Sequence, residues 1–214
     1  MESSSKSPEI LVPRRRPAQA RSRAKYDRIL SCARQTLVDH GFESFTFDEV
    51  SRRAEVPIGT LYQYFANKYV LICELDRQDT AEMLAEVERF SHRVPALQWP
   101  DFLEEFIDRM ARVWRNDPSR RAVWHAVQST PATRATAADT ELSLLKPIAE
   151  IIKPLAPDMD DAARIEIAAF LVHTVVSLLN YSIMRSEDSV DGVVEEIKRM
   201  LIAYLFAIAT GGKE

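Results

Sequence analysis

Hydrophobic positions along this chain mostly recur three and four residues apart, the spacing that gathers one face of an α-helix, and period-two runs of the strand kind are scarce. The first such register takes in Tyr26, Ile29, Leu30, Ala33, Leu37 and Val38 and stops at Gly41, where a left-handed end is natural. A new start follows at once. Thr46 can cap a helix, Glu49 three residues on can close a capping box, and Phe45 and Val50 stand where a hydrophobic staple needs them. This predicts a short helix over about 47–54 and a turn at Glu55 and Val56. Pro57 then opens a third helix, with Ile58, Leu61, Tyr62 and Phe65 on its apolar side. Asn67 can cap a long, rather charged fourth helix that carries Ile72, Leu75, Met83, Val87 and Phe90 and reaches about His92.

Pro95 and Pro100 mark a linker, after which Phe102, Leu103, Phe106, Ile107, Met110, Val113 and Trp114 share a fifth helix ending at Asn116. Asp117-Pro118 and Thr130-Pro131 are start signals for the sixth and seventh. The seventh carries Leu142, Leu145, Ile148, Ile152 and Leu155 and is predicted to kink or break near Pro147 and Pro154. Asp160 opens an eighth helix, apolar almost all round from Ile165 to Ile183, and Ser189 opens a ninth running from Val190 to Ile208. The expected fold is all-α, with about nine helices: a mobile basic arm over 1–18, a three-helix domain over 19–68 and a larger helical domain over 69–214.

With 214 residues, 46% of them hydrophobic, the chain can bury a sizeable core. Its net charge of −4 argues on its face against a nucleic-acid partner, but the charge is unevenly spread. Residues 1–68 hold 12 Lys/Arg and 8 Asp/Glu, against 16 and 24 in the remainder, so the N-terminal part alone suits phosphate. Cys32 and Cys73 lack CxxC spacing, so no disulfide framework, metal site or cofactor is expected. HExxH, GxSxG, P-loop and GxGxxG patterns are missing, Ser3 to Lys6 matches SxxK by accident, and Asp160-Asp161 reads as a helix start, which speaks against an enzyme. The N-terminus has no apolar signal region. The run from Ile167 to Ile183 is interrupted by His173, Thr174, Ser177, Asn180 and Ser182, which favours a buried interface helix over a membrane span and a cytoplasmic protein.

Two short helices joined by a tight turn can work as a helix-turn-helix, in which the first braces the second inside a major groove. Val50, Ala54, Val56 and Leu61 supply apolar packing positions, with small Ser51 where the helices come closest. Ile58, Gly59, Thr60, Tyr62, Gln63 and Tyr64 fall on the outward side of the third helix, with hydroxyls and an amide that can reach phosphates and base edges. Thr46 at one helix start and Lys68 at another are placed to meet phosphates, and Arg14, Arg15, Arg16, Arg21 and Arg23 can follow the backbone or enter a minor groove. The same features admit plainer readings: a packing unit, a solvated arginine tail, partly buried tyrosines and a surface lysine.

The segment from Arg28 to Leu71 resembles the DNA-binding domain of the tetracycline-repressor (TetR) family in Gly41-Phe42, Thr46, Gly59-Thr60-Leu61-Tyr62, Phe65 and Lys68. It departs from that pattern in the turn, where Glu55-Val56-Pro57 replaces Gly-Val-Ser, and at Tyr69, where an acidic residue is usual; a left-handed Glu55 would cost on the order of 1 kcal/mol. The resemblance implies a transcriptional regulator, released from a palindromic operator in double-stranded DNA by a small-molecule effector. It also implies a C-terminal domain for ligand binding and homodimerisation, the dimer forming through the last two helices (about 161–185 and 189–209). It puts the ligand cavity among the fourth to eighth helices, making Phe106, Met110, Trp114, Trp124, His125, Phe170, His173 and Asn180 candidate lining residues, though each can equally be plain core. A helical protein-interaction module without DNA binding is the rival expectation.

Overall fold

A computed structural model describes residues 10–91, 99–185 and 190–211, and the described residues hold helices but no strand. In chain order they are α1 (Ala20–His40), α2 (Phe47–Ala54), α3 (Ile58–Tyr64), α4 (Lys68–Ser91), α5 (Trp99–Asn116), α6 (Pro118–Val127), α7 (Pro131–Ile152), α8 (Asp161–Arg185) and α9 (Val190–Ala209). His92, Pro95 and Ser189, where the pattern put an end, a linker and a start, lie outside the described residues. Pro100, expected in the linker, stands in the first turn of α5, where its missing N–H costs nothing. The chain divides into two compact units, Met1–Thr80 with Pro118–Glu141, and Ala81–Asp117 with Leu142–Glu214. Helices α4 and α7 each begin in the first unit and end in the second.

The first unit differs from the expected N-terminal domain by annexing α6 and the start of α7. Val123, Ala126 and Val127 of α6 are buried in one core with Ile29, Leu30 and Leu37 of α1, Phe45, Leu61, Phe65, and Leu71, Ile72 and Leu75 of α4. Val38, on the edge of the predicted α1 stripe, is exposed. In the second unit α5 offers Ile107, Met110, Ala111 and Trp114, α8 offers Ala168, Leu171, Val175 and Leu179, and α9 offers Val194, Ile197, Leu201 and Leu205. Each helix there buries one stripe only, so α8 still exposes Phe170, Tyr181 and Met184, and α9 exposes Met200 and Phe206. By length and composition α8 could also cross a membrane.

Of the kink or break expected at Pro147, α7 shows no break. The helix runs through it, keeping Leu144, Leu145 and Ala149 buried around a single lost backbone hydrogen bond. Pro154 does end the run, in a 3₁₀ turn over Lys153–Leu155.

The α2–α3 turn places Glu55 in the left-handed region at φ 51°, ψ 45°. A side chain there crowds the following carbonyl, and glycine avoids that at some cost in unfolded-chain entropy. Glu55→Gly is therefore expected to stabilise the first unit by about 0.5–1 kcal/mol, read as a rise in the thermal midpoint; an unchanged or lower midpoint would refute the strain.

Candidate nucleic-acid interface

The α2–turn–α3 hairpin is tied at its crossing. Ser51 Oγ donates to the Val56 carbonyl at 2.6 Å, Val56 N–H donates back to the Ser51 carbonyl at 3.2 Å, and Thr60 N–H donates to the Pro57 carbonyl at 2.8 Å. Val50, Ala54 and Leu61 close the contact with no exposed surface. Thr46 caps α2 by accepting from Glu49 N–H at 3.3 Å. Glu49 does not spend its carboxylate on the other half of a capping box; it takes hydrogen bonds from Arg52 and Arg53, and these hold its pKa down to about 2. Arg53 also donates to Asp39 at 2.5 Å, tying α2 to the end of α1.

Of the predicted reading face, Tyr62 (45% exposed) and Gln63 are open, Gly59 is exposed, and Ile58 and Thr60 are half-buried. Nothing lies within 4 Å of where a side chain on Gly59 would begin, so the open space there is not needed for packing. Tyr62 leans on Phe47 with ring centroids 5.1 Å apart. Tyr64 is a correction: it points inward, 7% exposed, with its ring edge-on to Tyr26 at 5.1 Å. Tyr62, placed with the apolar side as well as the outward one, belongs outside.

The basic residues divide likewise. Arg15, Arg21 and Arg23 are exposed. Arg14 and Arg16 are exposed too, but the arm that carries them is not the mobile tail expected: from Leu11 onward it is bonded to the unit. Arg16 makes a two-pronged bond to Glu74, Nε to Oε1 at 2.8 Å and Nη2 to Oε2 at 2.7 Å. Lys68 is half-buried at the start of α4, its Nζ bonded to the Phe42 carbonyl at 3.3 Å and lying 4.3 Å from the centre of the Phe42 ring. Glu74 was not anticipated, although a carboxylate inside the apolar run Val70–Leu75 is a signal that a cation must be close by.

The candidate ligand residues are divided between the two units. Trp124 and His125 belong to the first unit, their rings 5.0 Å apart, and His125 is exposed. In the second unit Phe170 and His173 are on the surface, another correction, because the stripe of α8 that faces inward is the one carrying Leu171 and Val175. Phe106 is half-buried beside Phe90 and Phe102. Met110, Trp114 and Asn180 are buried, with Trp114 Nε1 donating to Asn180 Oδ1 at 3.2 Å.

A braced short helix with open polar side chains, in a unit richer in cations than the rest of the chain, defines a helix-turn-helix DNA-binding protein. The sequence profile of the tetR family of bacterial regulatory proteins matches residues 29–75, and that of the tetracyclin repressor-like C-terminal domain matches residues 97–209. The chain belongs to the tetR family. It is 31% identical over 80 residues to the HTH-type transcriptional regulator UidR of Escherichia coli K12, a match covering 37% of this chain and only 39% of UidR. Its fold is similar to that of the fatty acid degradation regulator FadR from Bacillus halodurans, with a TM-score of 0.69, 16% identity and coverage of 87% of this chain and 95% of that one. It is also similar to FadR from Bacillus subtilis in complex with stearoyl-CoA, with a TM-score of 0.65, 17% identity and coverage of 80% and 97%.

Proposed function

We propose that this protein is a homodimeric transcriptional repressor of the cytoplasm, which binds a palindromic operator through α3 and is released by a largely apolar small molecule. The observation that carries this is the presentation of Thr60, Tyr62 and Gln63 by a helix whose other side is locked into the core. Thr46, Lys68 and the exposed arginines of α1 would hold phosphates on either side, each neutralised phosphate adding about 0.9 to the logarithmic salt slope. The open apolar positions of α8 and α9 suit a second copy of the chain better than water or lipid, and two copies supply the paired recognition helices that a palindrome needs.

Asn180 is the residue proposed to hold the effector. Its oxygen is occupied by Trp114 while its amide nitrogen is buried without a protein partner, a cost that a ligand's carbonyl or carboxylate would remove. Met110 and Phe106, one and two turns from Trp114 along α5, make the rest of such a ligand apolar. That the Bacillus subtilis relative is a complex with stearoyl-CoA supports an apolar ligand class. Ligand binding would act by favouring a state in which the two recognition helices no longer match the operator, with α4 continuous between the units as the conduit. On this reading the chain binds and does not catalyse.

Selecting bound fragments from genomic DNA with the purified protein is expected to return a palindromic site bound by a dimer. Tyr62→Ala is expected to weaken that site by about 10- to 100-fold, on the scale of one lost base-edge or phosphate contact, with unfolding unchanged. A monomer that treats all duplexes alike at low salt overturns the reading.

A further inference from the structure

The arm from Leu11 to Pro17 has no hydrophobic period and three consecutive arginines, which is why it resembles a tail. Its bonds say otherwise. Leu11 N–H donates to Thr136 Oγ1 on α7 at 3.0 Å, and Arg77 on α4 donates to the Leu11 carbonyl at 2.5 Å. Arg14 N–H donates to the Tyr64 carbonyl at 2.8 Å and Arg14 Nη1 to the Tyr62 carbonyl at 2.9 Å. Pro17 is buried.

These last two bonds fall on carbonyls in the final turn of α3, the groups a helix cannot satisfy from within. A seven-residue helix is too short to hold itself, so its end is set by what caps it. The cap in turn is anchored by Glu74, 6% exposed, whose carboxylate takes the Arg16 fork, the Tyr26 hydroxyl at 2.9 Å and Arg77 at 3.2 Å. Burial alone pushes the Glu74 carboxyl up, but the Arg16 and Tyr26 hydrogen bonds and the charges of Arg16 and Arg77 outweigh it and keep it ionised below the usual carboxylate range. A buried carboxylate needs such partners, and the arm supplies the bidentate one.

Resting on the DNA-binding reading above, we propose that Leu11–Pro17 is a strap that fixes the end of the recognition helix against α4 and α7, with Glu74 and Arg16 as positioning residues for DNA recognition. Arg16 sets operator affinity through Glu74 and touches no phosphate.

Two measurements test this. In fluorescence anisotropy on the selected operator duplex, Arg16→Ala is expected to weaken binding about tenfold with the logarithmic salt slope unchanged. A phosphate ligand would lose about 0.9 from that slope. Glu74→Gln is expected to weaken binding as well, whereas a simple charge effect would tighten it, since a negative group is removed next to a polyanion. Unchanged affinity in Arg16→Ala, a reduced slope, or tighter binding by Glu74→Gln each overturns the strap. The second measurement is amide hydrogen exchange on the DNA-free protein. The Arg14 amide is expected to be protected in the native chain and to lose protection in Arg16→Ala, a change at a largely solvent-facing side chain (60% exposed), while amides of α1 remain protected. An unprotected Arg14 amide in the native chain refutes the strap. If no duplex binds, the functional reading falls while the exchange experiment still decides the clamp.

Discussion

Phe65→Ala is expected to cost the first unit about 3–5 kcal/mol, the range for removing a fully buried phenyl ring, and with it operator binding. Phe65 follows the last residue of α3, has no exposed surface, and stacks on Tyr26 of α1 with ring centroids 5.2 Å apart. Tyr26 also meets Tyr64 edge-on and bonds to Glu74 of α4, so the Phe65 ring fills the place where α1, α3 and α4 converge. Its N–H donates to the Leu61 carbonyl at 2.8 Å, the last backbone link of the recognition helix. An alanine would leave a cavity that backbone from three elements cannot collapse into. Against a typical stability of about 5–15 kcal/mol, that loss brings the DNA-binding unit close to unfolding. Denaturant titration followed by helical circular dichroism gives the number, and Tyr62→Ala serves as the exposed aromatic control. A cost below about 1 kcal/mol would mean that Phe65 does not hold the three helices together.

The same three helices show how far the sequence could be read. The bounds of α2 follow from Thr46 and from the turn, because capping and left-handed geometry are local properties of four or five residues. The inward face of α3 was misread by one step: Tyr64, and not Tyr62, joins Leu61 and Phe65 in the core. Over seven residues the two choices differ in which tyrosine meets Tyr26, nearly forty positions away, while Tyr62 leans on Phe47 from outside. The strap was invisible for a related reason. Its bonds are mostly from main chain, or to it, across 48 to 125 positions, and no residue pattern within the arm encodes them.

The spacing pattern ends the N-terminal domain at residue 68, whereas α6 packs on α1 and the buried surface of Val123, Ala126 and Val127 places it in the first unit, a contact no local pattern encodes. In the second unit α8, apolar almost all round from Ile165 to Ile183, buries one stripe, and Phe170 and His173 lie outside it. Trp114 and Asn180 could be placed on their helices from spacing, yet nothing in the pattern pairs an indole with an amide 66 positions away.

Asp76→Asn is expected to stabilise the protein on the order of 2–4 kcal/mol at pH 8, scaling the shift at about 1.36 kcal/mol per pH unit. Asp76 and Glu74 stand two residues apart on α4 and so cannot share a face. Glu74 meets two arginines and a phenol. Asp76 is pushed up to about 7 by burial first, then by the charges of Asp79 and Glu141, with Arg77 and Arg34 offsetting only part of it. A carboxyl whose folded value is raised opposes folding when ionised. Its penalty is therefore complete above about pH 7, shrinks as pH falls through 7, and is gone near pH 4, where the unfolded chain's carboxyl also takes up its proton. The gain from asparagine should follow the same course: largest at pH 8, roughly halved in the middle of that window, and absent at pH 4. Urea unfolding of both proteins at pH 4, 6 and 8 measures the difference directly, free of the opposite trend from Glu49, whose lowered value makes its own contribution fade as acid is added. If the asparagine variant is the less stable one at pH 8, Asp76 is a paired carboxylate like Glu74, and the strain assigned to this stretch of α4 does not exist.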